Sequence, residues 1–427
     1  MNGLNLLSAT EAARQLADRK ITAVQLLEAC LERIAAREAV VGAWMHLDVA
    51  AARARAKALD AGPVQGLLHG LPLGVKDLMD TADLPAGYGS PIYADHRPAW
   101  DAAAVAFARA AGAVIVGKTV TTEFATFFPG KTANPHHPGH TPGGSSSGSA
   151  AAVADFMVPF AFGTQTAGSI IRPAAFCGVV GYKPSFGTVS RVGVKALCDT
   201  LDTVGALART VADAALLVAA TSGRRDLLLE RPLDHAPRVG LCRTYEWKHV
   251  QPATEAAFEH ARTQLGQAGV TLKDVDLPPQ FAGLVQAQTD IMGYELAQSL
   301  AYERLTHQAQ LSPRLQQMLA DGLAVTHERY TAAIALARGC RRAVPQVFTD
   351  VDVLLAPSAA GEAPAGLAAT GDPLFNRIWT LLHTPCVHLP FTTGPQGLPV
   401  GLQVIGNIGA DRETLAAADW LLARLRG

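Results

Sequence analysis

Two short stretches of this chain combine glycine with hydroxyl side chains: Gly143-Gly144-Ser145-Ser146-Ser147-Gly148 and Gly163-Thr164-Gln165-Thr166-Ala167-Gly168-Ser169. Glycine- and serine-rich loops beside apolar runs cost backbone entropy on folding, which unusual dihedrals or close backbone approach at a site would justify. A third residue stands out upstream: Lys76, at the end of the apolar run Leu71-Pro72-Leu73-Gly74-Val75. Lys76, the serines at 145–147, and Ser169 with Thr166-Ala167-Gly168 before it meet the requirements of acyl transfer. Those are a nucleophile, a base, and backbone N–H donors for an oxyanion, and histidine is not needed.

The elements that position these residues follow from capping and periodicity. Ser8 with Glu11, and Thr22 with Gln25, read as helix-capping boxes, each opening a stretch of helically spaced apolar residues. An Ala/Arg-rich helix over about 48–59 stops at Gly62-Pro63, and a short buried strand at 71–75 then delivers Lys76. A helix from about 101 precedes a strand at 113–116. A loop rich in Pro, His and Gly over 129–144 leads into the first serine loop. A helix of alanines follows it, and the apolar run 158–162 leads to the second. Further on, strands at 238–242, 270–275, 351–356, 386–389 and 400–405 alternate with helices at 252–266, 281–305, 327–348, 373–383 and 412–425. This alternation predicts an α/β fold layered on a mixed sheet. Nothing reads as an interdomain linker or a repeat.

Two other motif matches fail on context. Gly112-Ala-Val-Ile-Val-Gly117-Lys118-Thr119 satisfies the P-loop pattern, but the residues between its glycines are apolar and mostly β-branched. They suit a strand, not a flexible phosphate cradle. Gly144-Ser-Ser146-Ser-Gly148 satisfies the nucleophile-elbow pattern, but loop rather than buried strand precedes it. His136, His137 and His140 have no acid or cysteine spaced to complete a metal site.

Bulk properties narrow the partners. At 427 residues, 49% hydrophobic and 17% charged, the chain can bury a large core. Thirty-six basic against 37 acidic residues leave a formal charge of -1, so no broad positive field would attract nucleic acid or an anionic membrane. A small or neutral ligand fits better. The six cysteines are scattered, as in a reducing compartment. No signal sequence and no run of about 18 apolar residues is present, so a soluble cytoplasmic protein is expected.

The loop residues resemble the amidase-signature family. Its G-G-S-S-(G/S)-G and G-T-x-T-x-G-S motifs, with R-P-A-A-F-C-G-V after the second, stand at Gly143–Gly148 and Gly163–Val179, and its upstream G-(V/I)-K-D is Gly74-Val75-Lys76-Asp77. Thr-Gln-Thr before the second serine loop, Ser169-Ile170-Ile171-Arg172 and Gly371-Asp372-Pro373 are most similar to the malonamidase type. The resemblance implies one large domain over 1–427 with a central mixed twisted sheet covered by helices on both faces. Its parts would be a helical region at 1–60, a catalytic core at 65–210 and a variable substrate-pocket half at 211–427.

It further implies that Ser169 is the acylated nucleophile, Ser145, on a cis peptide bond, the relay, and Lys76 the base. The N–H groups of Thr166, Ala167, Gly168 and Ser169 would form the oxyanion hole, with no metal or cofactor. A lysine accepts a proton at neutral pH only if burial depresses its pKa, and the apolar lead-in offers such surroundings. Gln165 and Ala167 depart from the family's commonest Asp and Gly, so the acid's charge is absent and Ala167 needs a backbone conformation open to L-residues. Arg172 would bind a substrate carboxylate bidentately or pin the loop to a nearby acid. Gly143 and Gly144 are further substrate-binding candidates. Ser147 and Thr164 read as hydrogen-bonding support, Ser149 as a helix-start residue, Asp77 as structural and Cys177 as core. Asn376, Trp379 and His383 are candidate pocket residues; Phe375, Trp379 and Leu382 also fit ordinary helix packing.

The expected activity is hydrolysis of a small carboxamide, by a homodimer acting without nucleic acid or membrane. Alternatives are an ester, carbamate or anilide hydrolase with the same residues, the amidase component of a tRNA transamidation complex, and a binding module that kept the fold.

Overall fold

Both predicted N-terminal caps form, one completely. Thr22 and Gln25 exchange backbone and side-chain hydrogen bonds at the start of the helix Ala23–Val41. Ser8 caps Ala9–Ala17, but Glu11 turns its carboxylate to Arg14 and Gln15, leaving that box half made. Thr22→Ala removes an acceptor from an exposed helix start and is expected to cost about 1 kcal/mol, read as a lower urea midpoint at unchanged m-value.

The computed structural model describes residues 3–426. Among them are eleven strands: β1 (Trp44–Leu47), β2 (Pro72–Lys76), β3 (Val114–Thr119), β4 (Phe160–Gln165), β5 (Val180–Lys183), β6 (Thr203–Ala208), β7 (Val239–Leu241), β8 (Leu272–Asp274), β9 (Val353–Pro357), β10 (Cys386–Thr393) and β11 (Pro399–Ile405). They form one sheet in the order β1-β3-β2-β4-β6-β5-β10-β11-β9-β7-β8. β2 runs parallel to β3 and β4, β7 parallel to β8 and β9, and the other neighbours are antiparallel. The sheet is therefore mixed, as the alternation predicts.

Side chains alternate across a strand, so a sheet buried on both faces divides its residues between two cores. β9 does this. Val353 and Leu355 join a cluster built on Ala9–Ala17, Ala23–Val41, Val211–Ser222 and Asp411–Leu425, whereas Leu354 and Ala356 join one built on Leu284–Ser299, Pro313–Leu323, His327–Val347 and Leu374–Leu381. Helices cover both faces.

Several elements depart from the sequence reading. The helix expected over 281–305 is a 3₁₀ turn, Pro279–Gly283, followed by Leu284–Ser299 and Ala301–Thr306, with Leu300 at ψ 29° between the two helices. β1, β5 and β6 are additional, as is Val211–Ser222, whose residues are buried nearly all round and so lack amphipathic contrast. The P-loop look-alike ends as β3. Its Lys118 is wholly buried, 2.9 Å from Asp77 and donating to the Met79 carbonyl at 2.7 Å. That pairing also gives Asp77 the structural role expected of it.

Candidate active site

Lys76 ends β2, whose parallel pairing with β4 aligns Gly74 with Ala161 and so brings position 76 beside the end of β4. Ligand sites of parallel strands lie at such carboxyl ends. Lys76 is completely buried. Its Nζ donates to Ser145 Oγ and to Thr164 Oγ1, both at 2.7 Å, and neither partner is a carboxylate. Burial is the main force holding this amine well below its usual pKa; the Asp202 charge acts against it and Arg172 adds to it. The chain thus holds a lysine able to be neutral against two hydroxyls.

The first serine loop lies over β4. The Gly144–Ser145 peptide is cis, as the resemblance implies. Ser146 is stitched to both backbone groups of Thr164 at 3.3 Å, which engages the hydroxyl that an elbow reading would have freed. Gly163 permits this approach, since a Cβ there would lie 2.6 Å from Leu207 and 3.1 Å from the Ser146 oxygen. Ser147 donates to the Val120 carbonyl at 3.3 Å. Ser149 does more than start a helix: its hydroxyl ties the loop to β3 through Thr119 and to β4 through the Phe162 carbonyl.

The second loop meets the first where the Ser146 N–H reaches the Ser169 carbonyl at 3.4 Å. Among the described residues no hydrogen bond engages the Ser169 hydroxyl. The four carbonyls from 166 to 169 are all tied, to Gln288 Nε2 (3.0 Å), Thr380 Oγ1 (2.8 Å), the Arg172 N–H (2.8 Å) and Ser146. Among the described residues the N–H groups of Thr166, Ala167, Gly168 and Ser169 are left without protein acceptors. Ala167 avoids positive φ, as its side chain requires. Gly168 has to be glycine for closeness, since a Cβ would lie 2.5 Å from Asn376 Oδ1. Gln165 does without charge what an acid would do there: its Oε1 accepts from the Ile170 and Ile171 N–H groups at 2.9 and 3.0 Å, at the start of the helix Ile171–Cys177.

Arg172 is 1% exposed and lines a narrow cavity of about 10 Å³ with Ser169, Thr166, Phe127, Met292 and Met318. Its Nη2 donates to the Gly144 carbonyl (2.7 Å) and to Thr370 (3.2 Å). Its Nε and Nη1 have no partner among the described residues. Burial, reinforced by Arg377, lowers its pKa to about 9, so it remains a cation at neutral pH. Of its two sequence-level readings, pinning to an acid is not what the structure contains, because its anchors are a carbonyl and a hydroxyl.

Gly143 and Gly144 do not line this cavity. Gly143 has φ 80° and packs on Pro173, while Gly144 gives its carbonyl to Arg172, so both shape the site from behind. Trp379 and His383 are also elsewhere. Trp379 is in the core, and His383 stacks on Phe186 at 4.1 Å and bonds the Thr200 carbonyl. Cys177 is buried, with its thiol pKa pushed up, against the Pro142 carbonyl. His136 and His140 engage the carbonyls of Cys177 and Ala363. Gln288, Thr380, Thr370 and Asp202, which accepts from Thr166 Oγ1 at 2.5 Å, were not singled out in the sequence. Each sits in an ordinary-looking segment and acquires its place only through tertiary contact.

The sequence profile of the Amidase family matches residues 25–415, and the chain belongs to that family. It is an amidase-class enzyme, and its fold is that of its solved relatives. A solved amidase shares 33% identity with TM-score 0.90, covering 98% of this chain and 100% of its own. A peptide amidase from Stenotrophomonas maltophilia shares 29% with TM-score 0.83, covering 98% and 97%. Among curated proteins, a glutamyl-tRNA(Gln) amidotransferase subunit from Chloroflexus aurantiacus is 36% identical, covering 95% of this chain and 94% of its own. No helix of the described residues is long and apolar enough to cross a membrane.

Proposed function

We propose that this enzyme hydrolyses a small carboxamide that also carries a carboxylate, using Ser169, Ser145 and Lys76. Ser169 attacks the amide carbon as its proton passes through Ser145 to neutral Lys76. The resulting oxyanion is received by the N–H groups of the 166–169 loop. The proton returns through Ser145 to the leaving nitrogen, and water then hydrolyses the acyl-enzyme. The observation that carries this reading is the buried Lys76 amine within 2.7 Å of Ser145. The Ser169 hydroxyl has to turn toward Ser145 as substrate enters, the kind of tightening expected between free and substrate-bound sites.

The carboxylate rests on Arg172. A buried guanidinium beside the nucleophile, with Nη1 free of any partner among the described residues, can give an anion one charge-assisted hydrogen bond there. The cavity is narrow, about 10 Å³, and its other walls are largely apolar and include the flexible Met292 and Met318, so it selects a short acyl chain and these side chains have to move to admit it. The malonamidase-type reading rests on the residues of the serine loops, the relatives above being named otherwise.

A second reading, a glutaminase component of a tRNA transamidation complex, is favoured by the amidotransferase relatives. Their aligned span of 459 positions exceeds the 427 residues here, so they carry segments this chain lacks. Ammonia release from short amide acids by the purified chain alone, abolished in Ser169→Ala, is the expected result. Activity appearing only with added partner proteins would favour the second reading. Unchanged turnover in Ser169→Ala would reject both. A homodimer, as the resemblance implies, would sediment at twice the chain's 44.7 kDa.

A further inference from the structure

In a planar trans peptide the carbonyl of one residue and the N–H of the next point in opposite directions. A donor that fixes a carbonyl therefore also aims the following N–H. The bond from Gln288 Nε2 to the Thr166 carbonyl fixes the direction of the Ala167 N–H in this way. Gln288 is completely buried on Leu284–Ser299. An amide side chain can flip, and a flipped Gln288 would set oxygen against oxygen and release the loop. The flip is prevented by Arg377, whose Nη1 donates to Gln288 Oε1. Arginine has no acceptor to offer, so the oxygen of Gln288 has to face it and the NH2 has to face Thr166.

We propose that Gln288, locked by Arg377, is a positioning residue for the oxyanion hole: it touches no substrate and acts by aiming the Ala167 N–H. The inference rests on the Ser169 hydrolytic reading. A donor's worth to an oxyanion depends on being aimed before charge develops, and loss of one such donor costs about 10²–10³-fold in kcat. Loosening its support should cost less, about 10- to 100-fold.

The test uses the full-length enzyme with Gln288→Met, which keeps length but cannot donate, and Gln288→Glu, which keeps the Arg377 contact and the packing but presents a carboxylate to Thr166. Rates on a short amide acid are expressed per Ser169 site, counted by end-point labelling with a phosphonofluoridate. The expected result is a kcat lower by about 10- to 100-fold with KM within about threefold. Inhibition by a trifluoromethyl ketone, whose adduct carries an oxyanion, should weaken by the same factor. A merely structural residue would reduce the number of labelled sites but not the rate per site. Unchanged kcat per site in Gln288→Glu, or ketone affinity that does not follow kcat, would overturn the proposal while leaving Ser169 as nucleophile. A wild-type enzyme that takes no label at Ser169 would end both.

Discussion

Lys76→Met lowers kcat by about 10⁴-fold while leaving KM for a short amide acid nearly unchanged, because the substitution removes the proton acceptor without touching Arg172. Methionine fills the space of the lysine stem, and the amine it replaces is paired with two hydroxyls and no carboxylate, so the fold should persist. In the wild type the base works only when neutral. Since burial holds its pKa well below the usual lysine value, kcat/KM of the free enzyme rises with pH along a limb lying well below the usual lysine range. In Lys76→Met that limb disappears. Steady-state rates across pH decide the matter, and a limb that survives the substitution would assign it to another group.

Arg172→Met separates substrates by charge. Truncating one partner of a buried hydrogen-bonded charge pair costs about 2–5 kcal/mol, so kcat/KM for an acidic amide should fall on the order of 10²- to 10³-fold. A neutral amide of equal length should lose far less. The sign of a second effect is also fixed: Arg172 lowers the Lys76 pKa, so its removal moves the rising limb for neutral substrates to higher pH. Equal losses for acidic and neutral amides would remove the carboxylate role.

The three residues proposed for this chemistry could be singled out in the chain because each lies within a local motif: Lys76 after an apolar strand, Ser145 and Ser169 in glycine-rich loops. The helices that begin with Ser8 and Thr22 were legible for the same reason, since caps act within four residues. Local signals do not reach Thr370 or Gln288, which meet the catalytic loops across more than a hundred residues of chain. The glycine motif also has a packing side that its spacing does not show: Gly143, at φ 80°, packs on Pro173, and Gly144 gives its carbonyl to Arg172. Strands of four residues such as β5, and Val211–Ser222 with apolar residues on every side, carry no periodic contrast to read.

The tethers on the second serine loop also have a consequence for biosynthesis. Thr380 lies 213 residues after the carbonyl it holds, and Gln288 lies 122 after its own. A chain still emerging from the ribosome can carry all three residues of the proposed Ser–Ser–Lys set and yet lack the clamps on the 166–169 loop. On the proposed mechanism, hydrolytic power would arrive only with the closing stages of synthesis, and a truncated product would spare the amides around it.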